Sequence, residues 1–338
     1  MAVKIEGGAS PCAPAVRWWN EMVELGGTTA IATRFRRPVA VGLVLAAWII
    51  GGWWLLVQGE GDPVDVRAYY RVDLDRPYAG AQVVARDAFL YSPAFAQLTE
   101  PLRLLPWATF RLLWRAGELA ALTALAGPFT LPFLLTEPIA SELNAGNIHL
   151  LLAAAIVAGF RWPAAWAFVL LTKVTPGIGL LWFAVRREWR QLGIALGATL
   201  AIVAVSAVLA PGLWLDWIAL LAREAAVPPR REWEVVMLPL AWRVVVAAVV
   251  VAWGARNDRR WAVPLGAFLA LPVTWYHALS LLVGVLPFVW QRPWWAQIRT
   301  GNDRDGGTTA DPIERGEGRR GGWPWTAIGD RGSTPAVR

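Results

Sequence analysis

The chain has 338 residues, 56% of them hydrophobic and 17% charged, and its mean hydropathy is +0.42. Globular chains carry about 25% charged residues, and long charge-free apolar runs mark membrane spans, so the composition excludes a soluble enzyme, a disordered chain and a coiled coil. One cysteine, Cys12, excludes an intramolecular disulfide framework or a cysteine-cluster metal site, and two histidines, His149 and His277, argue against a histidine-rich one.

The net charge of +7 and the pI of about 10.3 raise the question of nucleic acid, and the distribution of charge answers it. Arg34, Arg36 and Arg37 precede the first apolar run; Arg186, Arg187 and Arg190, then Arg256, Arg259 and Arg260, form later clusters; Arg292 and Arg299 follow the last run. Arginines that flank spans follow the positive-inside bias. A nucleic-acid protein would gather them on one face, so no nucleic-acid partner is expected. The 23 Trp against five Tyr and 11 Phe fit a chain with much surface at the level of lipid headgroups.

Residues 1–37 read as a cytoplasmic tail, with a short amphipathic helix around Trp18 and Trp19. The apolar run begins too far in for a cleavable signal peptide. The first span is expected over Val39–Val57, long enough to cross about 30 Å of hydrocarbon. Residues 58–106 mix acids and arginines and read as a structured extracytoplasmic loop, since a long loop with its own structure is usually functional. Apolar runs follow at about 107–126, 128–140, 148–160, 163–185, 191–210, 235–254, 261–273 and 275–290. Several are short, and short interrupted segments at membrane depth occur where backbone is buried in protein or lines a wet cavity. With both arginine clusters cytoplasmic, 163–185 must enter and return, and Lys173, Pro176 and Gly177 break it in the middle. The expected fold is all-α: a polytopic transmembrane helical bundle over 38–298 with about 8–10 membrane segments, followed by a disordered cytoplasmic tail over 299–338. No repeat of 20–50 residues is apparent.

Five stretches carry candidate chemistry. In Gly61-Asp62-Pro63-Val64-Asp65-Val66-Arg67-Ala68-Tyr69-Tyr70, Asp62 reads as an N-cap before a proline at the first helical position. Asp65 and Tyr69 then share a helix face. Asp65 either complements the helix dipole or is a general base held at the membrane surface. In Arg86-Asp87 and Tyr91-Ser92-Pro93, Arg86 either binds a phosphate or pairs with a nearby carboxylate, and Tyr91 is an interfacial anchor or a sugar-stacking platform. Ser141-Glu142-Leu143-Asn144-Ala145-Gly146-Asn147-Ile148-His149 is a turn by composition, and its two amides, Asn147 among them, could orient a polar substrate. His149, with no second ligand nearby in sequence, reads as a satisfied bundle histidine. Lys173 either snorkels from a helix end or binds a phosphate at a helix break. Trp275-Tyr276-His277 forms an aromatic belt or covers a lipid-phosphate site.

The series Asp65-x-x-x-Tyr69-Tyr70, Tyr91-Ser92-Pro93, Gly146-Asn147, Lys173-x-x-Pro176 and Trp275-x-His277 resembles glycosyltransferase family 87, integral membrane enzymes of the GT-C class, over roughly residues 39–290. The stretch Asn144-Ala145-Gly146-Asn147 stands where members often have Gly-Gln-x-Asn. The resemblance implies a polyprenyl-phosphate-linked sugar donor, often mannose, and a lipid or glycolipid acceptor. It implies Asp65 as the base, Lys173 and His277 facing the donor phosphate, where Arg86 by its own chemistry could join them, and Tyr69, Tyr70, Tyr91, Asn147 and Trp275 about the substrates. One carboxylate with several cations supplies a base and leaving-group stabilisation, so an inverting transfer without metal or cofactor is expected. A lipid-linked sugar carrier or flippase without transfer chemistry is the alternative. The protein is expected in the plasma membrane with both termini cytoplasmic and the site extracytoplasmic.

Overall fold

The computed structural model describes residues 27–57, 63–82, 88–226, 234–236 and 238–289, all within the compact unit Met1–Ile298. The expectations placed on Trp18, Trp19, Asp62, Arg86, Arg292, Arg299 and the tail 299–338 lie outside the described residues. Every regular element among the described residues is helical: α1 Gly27–Val57, α2 Val64–Arg71, α3 Pro93–Thr99, α4 Trp107–Ala126, α5 Thr130–Leu134, α6 Glu137–Ala145, α7 His149–Gly159, α8 Trp166–Thr172, α9 Leu181–Val185, α10 Trp189–Leu209, α11 Pro211–Ala226, α12 Leu240–Arg256, α13 Ala262–Leu269 and α14 Leu286–Val289, joined in part by 3-10 turns.

Trp107–Leu134 and Trp189–Leu209 are long and apolar enough to cross a membrane, and α6 with α7 pass together as a pair bent by 102°. The expected 8–10 membrane segments, several of them short, divide among the described residues into two or three long ones and shorter apolar helices over Pro38–Trp53, Pro163–Thr172, Thr175–Val185 and Tyr276–Val289. α1 begins at Gly27, twelve residues before the expected start of the span at Val39, and carries Pro38 within it.

The short helices share a geometry. α7, the α8–α9 hairpin and the Tyr276–Val289 segment all reach one end of the bundle, where Phe160 meets Trp182, Phe183 and Phe288. The two arginine clusters meet at that end too. Arg186 pairs with Asp258 at 3.1 Å and Glu188 at 2.8 Å and donates to the Ala255 carbonyl, while Arg260 lies over Phe160. This agrees with the expectation that both clusters lie on one side.

From this end α10 runs 21 residues, about 31 Å at 1.5 Å per residue. α7 runs only 11, about 16 Å by the same rise. The far ends of the short helices therefore stop about halfway along α10, and Ala167 and Leu171 of α8 pack against Ala198 and Val203 in its middle stretch. The α8–α9 hairpin is the expected entering-and-returning segment. Its arms close tightly because Gly179 presents only hydrogen to the Trp166 ring, where a Cβ would overlap.

The stretch before α4 is structured, as expected. Val66, Tyr69, Val72, Tyr78, Phe89, Tyr91, Phe95 and Phe110 form a second apolar core that also takes in Trp217 and Leu220 of α11. α1 docks on α4 through Gly51 against Leu119 and through Trp48 Nε1, which donates to Thr123 Oγ1 at 3.1 Å. Its other face leaves Ile49 and Trp53 about 70% and 69% exposed, the surface a lipid-facing helix presents.

Candidate active site

Where the short helices stop, polar side chains converge from four separate stretches of chain. α2 supplies Asp65. The helix begins at Val64 with Pro63 at the cap position, one residue later than the spacing predicts, and it is pinned by buried Val66 and Tyr69. Asp65 is half-buried, and its Oδ2 accepts from Asn147 Nδ2 at 2.8 Å. Oδ1 makes no hydrogen bond among the described residues. Loss of water raises the Asp65 pKa from 3.8 to about 6, against the opposing pull of the Asn147 amide and the Lys173 charge.

The bend between α6 and α7 supplies Asn147, Glu142 and His149. Gly146 ends α6 in the left-handed conformation at φ 69°, and a Cβ there would lie 2.7 Å from Val66 Cβ. Only glycine both turns the chain and lets α2 approach this closely. Asn147 Oδ1 accepts from the Ile148 amide at 2.7 Å, which fixes its Nδ2 toward Asp65, with His277 Nε2 at 3.4 Å on the same nitrogen. Glu142 is fully buried. Its Oε1 accepts from the His149 and Leu150 amides at 2.6 and 3.3 Å, satisfying the exposed donors at the start of α7. Its Oε2 lies 3.0 Å from His149 Nδ1.

Lys173 comes from the break between α8 and the following 3-10 turn, where its backbone is extended. Its Nζ lies 2.8 Å from His149 Nε2. An ammonium only donates, so His149 accepts at Nε2 and carries its proton at Nδ1, toward Glu142. His277 enters from the segment after α13, its ring 5.4 Å from that of His149 and parallel to Trp275 at 6.5 Å. The turn that carries it is clamped by Arg243, buried in α12, which donates to the carbonyls of Leu238, Leu271 and Pro272 at 2.9, 2.8 and 3.0 Å and meets Glu234 at 3.4 Å.

Of the residues singled out in the sequence, Asp65, Asn147, Lys173, His277 and Trp275 thus gather in one constellation. Three tyrosines fall elsewhere. Tyr69 and Tyr91 are buried, with their hydroxyls 3.0 Å apart, and Tyr91 also accepts on its carbonyl from Tyr78 Oη at 2.9 Å. Tyr91 is therefore not an interfacial anchor. Both rings act as footings for α2, close enough to Asp65 for its charge to act on their hydroxyls. Tyr70 donates to the Leu105 carbonyl at 3.1 Å. Sequence reasoning missed Glu142 and Arg243. An arginine in an apolar run is costly enough to mark Arg243, whereas Glu142 gave no signal beyond its place in a turn.

His149 is satisfied, as expected, but it does have potential co-ligands. Ligand atoms of Glu142, His149 and His277 lie within 4.8 Å of one another. A metal would have to displace the Lys173 ammonium from Nε2 or the proton that joins Nδ1 to Glu142. The donor set as arranged is completed by protons, so it fits a metal poorly.

The arrangement offers one carboxylate oxygen with a free valence and a raised pKa, facing a lysine and two imidazoles. Such a pairing of base and cations serves proton abstraction at one oxygen and stabilisation of a departing anion at another.

The model of glycosyltransferase family 87 matches residues 89–283. The chain is 26% identical, over 206 residues, to the polyprenol-phosphate-mannose-dependent alpha-(1-2)-phosphatidylinositol pentamannoside mannosyltransferase of Mycolicibacterium smegmatis, a match covering 52% of this chain and 50% of that protein. The chain thus spans about half the length of this curated relative. No solved structure matches.

Proposed function

This chain belongs to glycosyltransferase family 87, and from that we propose that it is a multi-pass membrane glycosyltransferase that moves mannose from polyprenyl-phosphate-mannose to a phosphatidylinositol-based glycolipid at the extracytoplasmic face. The donor and acceptor classes follow the name of the mycobacterial relative. The observation that carries the mechanism is that Asp65, only half-buried, keeps one oxygen free of hydrogen bonds among the described residues, whereas Glu142 has both oxygens engaged and Glu118 is sealed away from solvent.

In the proposed reaction the acceptor hydroxyl oxygen attacks the anomeric carbon of the donor. The bond from that carbon to the phosphate oxygen breaks, and polyprenyl phosphate leaves with the bonding pair. Asp65 takes the hydroxyl proton. Lys173 turns from His149 toward the leaving phosphate, and His277 flanks it. Asn147 holds Asp65 from one side and touches His277 from the other, so it sets the spacing between base and leaving group. A single base gives inversion at the anomeric carbon. A double displacement would call for a second carboxylate about 5 Å from the first, by analogy with glycosidases. Arg86, outside the described residues, is a further candidate for the phosphate.

The test is transfer in membranes supplied with labelled polyprenyl-phosphate-mannose and a phosphatidylinositol mannoside. The wild type is expected to form labelled glycolipid, and Asp65→Asn to lose nearly all of it at equal expression. Undiminished turnover in the variant would remove Asp65 as the base.

A further inference from the structure

Beside the polar constellation lies a narrow cleft of about 140 Å³ that takes no part in the chemistry described so far, walled by Leu102, Leu105, Phe110, Leu113, Trp114 and Leu151. Its lining is almost wholly apolar, and it opens at the side of the bundle, where Leu102 and Leu113 are exposed. Three features say what fits it.

The first is its inner end. Trp114 Nε1 donates to the Gly146 carbonyl at 2.9 Å, and the next residue, Asn147, holds Asp65. The cleft therefore abuts the α6–α7 bend that positions the base. The base is the group that must meet the acceptor hydroxyl.

The second is its rim. Arg103 stands between wall residues 102 and 105, with Nε donated to the Tyr70 carbonyl at 2.9 Å. Arg111 follows Phe110 and lies over Trp107 at 5.9 Å. Neither has a carboxylate partner among the described residues. Two such guanidiniums, on residues that adjoin the wall residues in sequence, complement a phosphate carried on a hydrocarbon chain.

The third is its floor. Gly117 lines the cleft, and a Cβ added there would meet nothing within 4 Å. The slot is kept open by a residue that contributes helix backbone and no bulk.

We infer that this cleft is the acyl-chain subsite of the acceptor, a phospholipid whose anionic headgroup rests on Arg103 and Arg111 while one chain lies along Phe110 and Trp114. This rests on the reading of Asp65 as the base. It goes further by giving the two lipid substrates separate seats, the acceptor on the Asp65 side and the donor on the Lys173 side.

Photo-crosslinking tests it without requiring turnover. Purified full-length protein is irradiated with phosphatidylinositol bearing a mid-chain diazirine, and in parallel with polyprenyl phosphate bearing one, and labelled peptides are mapped. Expected is phosphatidylinositol label on residues 102–117 and Leu151. It should be retained in Gly117→Ala, whose methyl meets open space, and reduced about tenfold in Gly117→Leu, whose side chain fills the slot. Phosphatidylinositol label elsewhere only, equal labelling of Gly117→Leu and wild type, equal loss in both variants, or label on these residues from polyprenyl phosphate in place of phosphatidylinositol would overturn the assignment. Absence of mannosyl transfer by a wild type that is still labelled in the cleft would sink the catalytic reading and leave the lipid seat standing.

Discussion

Asp65→Asn separates the chemistry of the site from its effect on stability. In the folded protein the Asp65 pKa rises from 3.8 to about 6 because the carboxylate loses water. The folded state therefore binds the proton more tightly than the unfolded chain. The stabilising contribution of that proton is fully present below 3.8, and it is lost as pH rises through about 6. Each tenfold change in proton affinity is worth about 1.4 kcal/mol, so above pH 6 the ionised group costs the fold at most about 3 kcal/mol, a ceiling because Asp65 is only half-buried and solvent screens it. Asparagine has nearly the same shape, stays neutral and can still accept from Asn147 Nδ2. Thermal melts in detergent should therefore show Asp65→Asn more stable than wild type at pH 8, with the difference vanishing near pH 4, while transfer activity is lost at both. A variant less stable than wild type at pH 8 would refute the assignment of a desolvated, functionally retained carboxylate. A catalytic group that weakens its own fold is a common trade in active sites.

Further outcomes follow from the same geometry. The transfer rate of the wild type should fall as pH drops through about 6, where the base becomes protonated; a rate flat from pH 8 to 5 contradicts this role for Asp65. Gly146→Ala should lose about 1–2 kcal/mol from left-handed backbone alone and more from the overlap with Val66. Val66→Ala should restore little of it, because its Cβ stays at 2.7 Å and only the Cγ1 contact at 3.0 Å is relieved, as read by melts of the two single variants and the double. Arg243→Met should cost about 3–5 kcal/mol, the range for breaking a buried charge pair, and limited proteolysis should then cut near Leu271 and Pro272, whose carbonyls lose their donor. Glu142→Gln keeps one oxygen for the amides of α7 but places a donor against His149 Nδ1, so transfer should drop at least tenfold with the helical circular dichroism signal unchanged. Wild-type transfer in that variant would show that the Lys173–His149–Glu142 chain has no part in the reaction.

Much of this architecture is legible in the amino-acid order. Span-flanking arginines place two loops at one end, and Arg186 meeting Asp258 realises that. Lys173 beside Pro176 and Gly177 marks the hairpin break, because a charge and a helix breaker rarely coincide in a continuous span. Asp65 and His277 stand out as polar groups next to apolar runs. What the order conceals is depth and company. An 11-residue apolar run such as His149–Gly159 has the same local pattern whether it crosses a membrane with its neighbour or stops halfway, and only the packing of the short helices around it, such as α8 against the middle of α10, decides. Glu142 earns its role through amides seven and eight residues on, across a 102° bend, and no local pattern reports that. Tyr91 looks like an interfacial aromatic because a phenol at a headgroup and one in an aromatic core share the same sequence context.

The central claim is that this protein itself breaks the sugar–phosphate bond of a lipid donor. Purified protein in sealed vesicles, given polyprenyl-phosphate-[14C]mannose and a phosphatidylinositol mannoside acceptor, should form one labelled glycolipid for each polyprenyl phosphate released. Label crossing the vesicle wall on intact donor, with neither product formed, would contradict the claim and identify a carrier instead.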